Sequence, residues 1–302
     1  MKFKRTAQTG TVQEVYALEK PLGENDFQVK YDSVADTSAL LQEDFDKYSK
    51  LKNEKGEPAV YIPHWRELIL AFQRVNTEVD LSNLELKIMS SFHAQARRRG
   101  IVEDMTPVTV VSVIRTSDDL LLYGVRGGKP IAGQPNTLAV GQGNSVPGGH
   151  VMPQTRYSSN PILSSFYEEL SEEAGIGKNE VFECALAGYQ TDPQFKSLCF
   201  VVKGNTILPS SEVSYRHFKA MEVYSSAKKD GLSELDSRKA ISEAGLRNID
   251  AWENENLIFI PNDQDYLSKL IESGRISDAV KGKEYKLIDN SIGALIMHNF
   301  LR

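Results

Sequence analysis

Pro147-Gly148-Gly149-His150, a twelve-residue connector, and then Leu163-Ser164-Ser165-Phe166-Tyr167-Glu168-Glu169-Leu170-Ser171-Glu172-Glu173-Ala174-Gly175-Ile176 form the stretch on which the reading of this 302-residue chain turns. On a wheel at about 100° per residue, Leu163, Phe166, Tyr167, Leu170 and Ala174 fall on one arc and predict a helix from about Ser164 to Ala174 with a core-facing side. Glu168, Glu169, Glu172 and Glu173 fall on the other side, within about 140° by the same geometry. Gly175 stands where a helix stops and the backbone turns left-handed. A solvated acidic face is the plain explanation of such a pattern, but two penalties count against it. Like charges four residues apart repel, and no Lys or Arg lies in the helix to relieve them. Acids in the last turn also meet the negative end of the helix dipole. Hard divalent cations remove both penalties, because carboxylate oxygens are their preferred ligands.

With those residues in place, the run from Glu169 to Ile176 resembles the second half of the Nudix box, G-x5-E-x7-R-E-U-x-E-E-x-G-U, with U apolar. Pro147-Gly148-Gly149-His150 is similar to the glycine pair that opens it. The resemblance covers about residues 105–302. It implies an α/β fold, a Nudix-type α/β/α sandwich with a mixed sheet. It further implies Mg²⁺ (or Mn²⁺) held by Glu169, Glu172 and Glu173, with Glu172 or Glu173 as the water-activating base. Acids at 212–255, such as Glu212, Glu222 and Glu253, are alternatives for that base. Gly148 and Gly149 would let a ligand approach the backbone, since no Cβ blocks it. His150 and Arg126, the latter at the end of the second strand, would touch substrate, and Lys129 is a further source of positive charge. The implied reaction is hydrolysis of a pyrophosphate bond in a nucleoside diphosphate linked to another moiety.

The match departs from the box in three places. Glu168 stands where the box has its arginine. The first box glutamate has no counterpart, since the count falls on Thr155 or Asn160. The connector is about five residues longer. These departures motivate a second reading from another class, a catalytically weak or inactive nucleotide-sensing module. A third reading is an acidic helix that only docks a partner.

Outward from the box, Val108 to Ile114 reads as a β-branched, apolar strand, Asp118-Asp119 as a turn and Leu120 to Val125 as a second strand, followed by a Gly- and Pro-rich loop to Gly149. Val181 to Tyr189, Ser197 to Val202 and Leu257 to Ile260 read as strands, Tyr266 to Glu272 and Ser291 to Phe300 as helices. Residues 212–254 read as a polar helical insertion. Alternating elements of this kind predict a layered α/β domain over 105–302. Before it, residues 1–104 read as a mostly helical accessory domain. Strands are expected at Val12 to Leu18 and Phe27 to Tyr31. Helices are expected at Ala35 to Leu51, from Pro63 to about Val75, and from an Asp80 cap through Leu84, Ile88 and Phe92 to Arg99.

The composition sets the outer limits. A 40% hydrophobic, 25% charged chain is ordinary globular material, and its net charge of −6 argues against broad binding to nucleic acid or anionic membrane. No apolar run is long enough to span a bilayer and no signal peptide follows the N-terminal Met-Lys-Phe-Lys-Arg, so a cytoplasmic location is expected. Cys184 and Cys199 fit no metal or disulfide pattern, and the five histidines form no zinc set. Arg97-Arg98-Arg99 reads as a complement to a helix C-terminus. Gly141-Gln-Gly143 lacks the spacing of a dinucleotide fingerprint. A small nucleotide substrate is the expected partner, with a homodimer as the expected assembly.

Overall fold

The computed structural model describes residues 1–32, 36–52, 67–73, 79–127 and 140–301. In chain order the elements are β1 Lys2–Thr6, β2 Val12–Leu22, β3 Gln28–Tyr31, α1 Thr37–Tyr48, β4 Leu68–Phe72, β5 Asn83–Ser90 and α2 Ser91–Arg98. There follow β6 Thr106–Arg115, β7 Leu120–Arg126, β8 Gly143–Ser145, β9 Gly148–His150, α3 Pro161–Ala174, β10 Val181–Asp192 and β11 Ser197–Thr206. The chain closes with α4 Ser210–Lys229, α5 Glu234–Glu243, β12 Asn254–Pro261, α6 Gln264–Ser273, β13 Arg275–Asp278, β14 Lys283–Lys286 and α7 Asp289–Phe300.

A 12-stranded sheet runs β1-β2-β10-β11-β6-β4-β5-β3, with β7 and β9 branching from β6, and β8 and β12 pairing with β7. The β6–β11 and β3–β5 pairs are parallel and the others antiparallel, so the sheet is mixed. Alternation along each strand sends neighbours to opposite faces. Val110 and Phe200 pack on one side with Phe166 and Leu170 of α3. Val111 and Val201 pack on the other with Leu295 and Ile292 of α7. The result is the α/β/α arrangement expected for 105–302, and the polar stretch after β11 is α4 and α5.

The N-terminal hundred residues correct the mostly helical expectation. They contribute five strands and two helices among the described residues, and these strands belong to the same large sheet. Backbone pairing crosses the expected boundary twice, β2 with β10 and β4 with β6. The helix expected from Asp80 to Arg99 is strand β5 followed by α2, which Ser90 caps by accepting from His93 N at 3.0 Å. The physical reason lies in the pattern. Leu84, Ile88 and Phe92 are spaced by four, which suits a helix and a strand equally. Leu84 and Leu86 are buried while Asn83, Glu85 and Lys87 are exposed, which is period two. The stretch expected as a helix after Pro63 contains β4; residues 63–66, 74 and 75 of it lie outside the described residues.

One glycine lets β2 lie closely against β10. At Gly188 φ is +153° and an added Cβ would lie 2.1 Å from the Tyr16 carbonyl oxygen. Backbone cannot yield as a side-chain tip can. Gly188→Ala is therefore expected to cost about 3 kcal/mol or more of stability, measured by urea unfolding. A loss below about 1 kcal/mol would mean that β2 and β10 separate readily.

Candidate active site

The glutamate helix begins three residues earlier than its apolar pattern suggests, because Asn160 caps it by accepting from Ile162 N at 3.0 Å and Pro161 occupies its first turn. It ends on Gly175 at φ 71°, as the sequence indicates. Its polar side is also covered. The buried Ser165 accepts from Met152 N at 2.9 Å and the buried Ser164 from Tyr157 N at 3.1 Å, which folds the long connector back over the helix start.

Three strands and a helix bring the other groups to this face. In β9 the Gly149 Cα faces α3 so closely that a Cβ there would lie 2.0 Å from Glu169 Oε1. Gly148 N donates to Glu173 Oε1 at 3.3 Å, and Asn254 Nδ2, from the start of β12, donates to Glu173 Oε2 at 3.0 Å. Arg126 ends β7 and pairs through Nη2 with Glu253 Oε2 at 2.7 Å. Arg238 of α5 pairs with Asp250 at 2.7 Å and stands 3.8 Å from Glu172.

Electrostatics identify the group as one cluster. Burial, then Glu173, Glu253, Glu172 and Asp250, hold the Glu169 carboxyl well above the ordinary range. Burial and then Glu253 push Glu173 up to about 8, against the opposing pull of Arg126. Burial raises Asp250 to about 7, with Arg238 opposing. Glu172 is raised by burial and then by Glu168. Arg126 responds in reverse: Glu253 foremost strengthens its hold on the proton. Negative charge thus exceeds the counter-charge that Arg126 and Arg238 supply.

Among the expected residues, the structure brings Glu169, Glu172, Glu173, Gly148, Gly149 and Arg126 together. It does not bring His150. Gly149 faces α3, so His150 points to the opposite face of the sheet, where Arg98 is its charged neighbour. Burial holds this imidazole down to about 4, neutral at pH 7. Glu253 joins the cluster, but Glu212 is bound to Arg216 at 2.8 Å and the half-exposed Glu222 to Lys219 at 2.8 Å. Lys129 lies outside the described residues. Glu168 accepts from Gln154.

Sequence reasoning missed Glu67, Asp250, Arg238 and Asn254. Glu67 immediately precedes β4; burial raises it to about 7, with Arg238, Asp250 and Glu168 as its charged neighbours. No local signal marks it, since it lies far from the box in sequence and is brought near by the pairing of β4 with β6. Asp250-Ala-Trp-Glu253-Asn254 carried a readable one: a tight cluster of polar side chains running straight into a buried strand.

Among the described residues, no three His, Cys, Asp or Glu side chains are gathered as a finished metal-ligand set. The donors nevertheless suit a hard divalent cation. All are carboxylate oxygens, they share an excess of negative charge, and the space above Glu169 is kept clear by a glycine. The raised carboxyls make a testable statement about the metal-free protein. Their folded-state pKa values lie above the unfolded ones, so the folded state binds more protons and stability falls as pH rises from about 4.5 through about 8. The melting temperature without metal is expected to drop across that window, and Mg²⁺ is expected to flatten the slope. A metal-free melting profile level from pH 5 to 8 would contradict the cluster's electrostatics.

Neither a protein-family model nor a curated protein matches the chain. Solved structures do. A Nudix hydrolase from Nitrosomonas europaea matches at 24% identity over 35% of this chain and 62% of its own, with a TM-score of 0.25. A MutT protein from Methanosarcina mazei Go1 matches at 10% identity over 65% and 92%, TM-score 0.31. A bifunctional NMN adenylyltransferase/ADP ribose pyrophosphatase from Francisella tularensis matches at 10% identity over 68% and 47%, TM-score 0.34. The chain spans 56% of a matched Deinococcus radiodurans protein and 62% of the Nitrosomonas protein.

Proposed function

We propose that this chain is a Nudix-type pyrophosphohydrolase that uses Mg²⁺ or Mn²⁺ to cleave a nucleoside diphosphate linked to another moiety. The observation that carries this reading is the gathering of Glu169, Glu173 and Glu253 around Arg126 beneath Gly149. Glu169, Glu172 and Glu173 would hold the cation. When bound, it lowers the pKa of water and offsets charge on the departing phosphate.

The remaining steps belong to the chain's own groups. Gly148 and Gly149 leave room for the pyrophosphate against the backbone. Arg126 is the cation placed to meet a phosphate oxygen, and Arg238 supplies positive charge beside Glu172, where the box arginine is lacking. Glu172 or Glu173 accepts the proton of the attacking water; both stay open, and the buried Glu173, already held at Oε1 and Oε2, is the better oriented. The free thiols of Cys184 and Cys199 fit a cytoplasmic setting, and among the described residues no helix is long and apolar enough to cross a membrane.

The test is a panel of ADP-ribose, NADH, nucleoside triphosphates and dinucleoside polyphosphates with Mg²⁺ or Mn²⁺, read as phosphate-containing products. Turnover that requires the cation and disappears in Glu172→Gln or Glu173→Gln supports the enzyme. Tight nucleotide binding without turnover would instead support a sensing module, the reading favoured by Glu168 at the box-arginine position. Silence across the panel, with and without metal, removes both.

A further inference from the structure

A cavity of about 720 Å³ opens elsewhere in the molecule, lined by residues of β1, β2, α2, β6, β10 and β11 and of the loops beside them, and none of its lining residues belongs to the acidic cluster. Its volume suits a small organic ligand. Lys4, Arg97 and Lys196 bring positive charge to its wall, and Glu14, Glu103 and Asp192 negative charge.

Two of the acids are already engaged. Glu14 accepts from the Tyr16 hydroxyl at 2.6 Å and pairs with Lys2 at 3.0 Å and Lys4 at 3.1 Å. Asp192 accepts from the backbone of Gln194 and Phe195 and from Asn290. Glu103 is exposed. The cations differ. Arg97 Nε donates to the Lys196 carbonyl at 3.3 Å, but Arg97 Nη1 is buried with no hydrogen-bond partner. Behind it Arg98 rests on the Phe195 ring at 5.0 Å with its own Nε buried and unpartnered.

Complementing the helix dipole does not account for this. That interaction is satisfied by an arginine in solvent, as the exposed Arg99 shows. Burying a guanidinium nitrogen without an acceptor is costly, and burial accordingly weakens the hold of Arg97 on its proton. An anion in the cavity offsets that cost.

We propose that the cavity is a second binding site, for a small phosphomonoester held by Arg97 and Lys196. A phosphate group carries close to two negative charges and three acceptor oxygens, which matches two cations and the hydroxyls of Thr11, Thr106 and Ser197. A single carboxylate would leave one cation unmatched. The cavity is far larger than a phosphate, so the ester's organic part lies along Val12, Pro193 and Leu198.

The inference does not rest on hydrolysis at the acidic cluster, and its test keeps the two apart. AMP, ribose 5-phosphate and inorganic phosphate are titrated calorimetrically into the full chain without divalent cation. Arg97→Gln and Lys196→Gln are expected to weaken binding of at least one ester tenfold or more, while Glu169→Gln leaves it unchanged. Lys196 is exposed, so Lys196→Gln carries the test if Arg97→Gln does not fold. Absence of binding at millimolar ester overturns the proposal. So does loss of binding in Glu169→Gln with both cation variants unaffected, or inorganic phosphate binding as tightly as the esters.

Discussion

Glu169→Gln is expected to lose about a thousandfold in cation-dependent hydrolysis, about 4 kcal/mol of transition-state stabilisation, while the metal-free protein becomes more stable. The two effects share one cause. At pH 8 the wild-type carboxyl either ionises among Glu173, Glu253 and Glu172 or holds a proton against its ordinary chemistry, and both cost free energy. Glutamine is neutral at every pH and nearly the same size. It removes the repulsion and, with it, the charge that attracts the cation. A gain of about 1–2 kcal/mol in the metal-free state follows, read as a rise of a few degrees in melting temperature by calorimetry. The wild type should recover that difference when Mg²⁺ is added, and the variant should not. Activity retained within tenfold, or a metal-free protein made less stable, would remove Glu169 from the metal-binding role. An ordinary buried hydrogen-bonding glutamate would produce the opposite stability change, so the sign separates the two.

The helix carrying these acids was legible because two independent patterns coincide there. Its apolar arc repeats at helical spacing, and its acids stand where a helix disfavours them. The ends follow from capping chemistry that sequence also records, Asn160-Pro161 at the start and Gly175 at the stop. The strands of 105–302 were legible for a similar reason: β6 is a β-branched, apolar run, and β7 and β11 are largely apolar, as befits strands covered on both faces. The N-terminal region was not. Residues spaced by four satisfy a helix and a strand alike, and in β5 the deciding information lies in the intervening Glu85 and Lys87, which reach solvent on the uncovered side.

The site shows the same division. The acids of the box were singled out by their helical spacing and by the resemblance to the Nudix box, and the arginine ending β7 by that resemblance alone. Glu67 and Arg238 were not, because the sheet order and the packing of α5 bring them in from distances that sequence patterning does not encode. His150 shows the reverse failure. It is adjacent to the glycine pair in sequence, yet one residue along a strand reverses the face on which a side chain stands. Adjacency to Gly149 therefore excludes it from the cluster.

That same alternation makes the two glycines a matched pair for experiment. Gly149→Ala is expected to reduce hydrolysis about a hundredfold, whereas Gly148→Ala is expected to stay within about threefold of the wild type. At Gly148 an added Cβ would meet Val111 Cγ1 at 3.5 Å, an ordinary contact on the α7 side of the sheet. At Gly149 it would lie 2.0 Å from Glu169 Oε1 and 2.4 Å from its Cδ. The Glu169 carboxylate is the free end of a flexible side chain, so it swings aside and the fold survives, with an expected loss of about 1 kcal/mol. The displaced carboxylate no longer shares the space with Glu173, and a misplacement of about 1 Å is enough to lose two orders of magnitude in rate. Steady-state rates and Mg²⁺ titrations on both variants check this, with urea unfolding as the control for folding. Comparable activity in the two alanine variants would show that Gly149 is small for backbone reasons alone, and that the room it leaves for Glu169 plays no part in the chemistry.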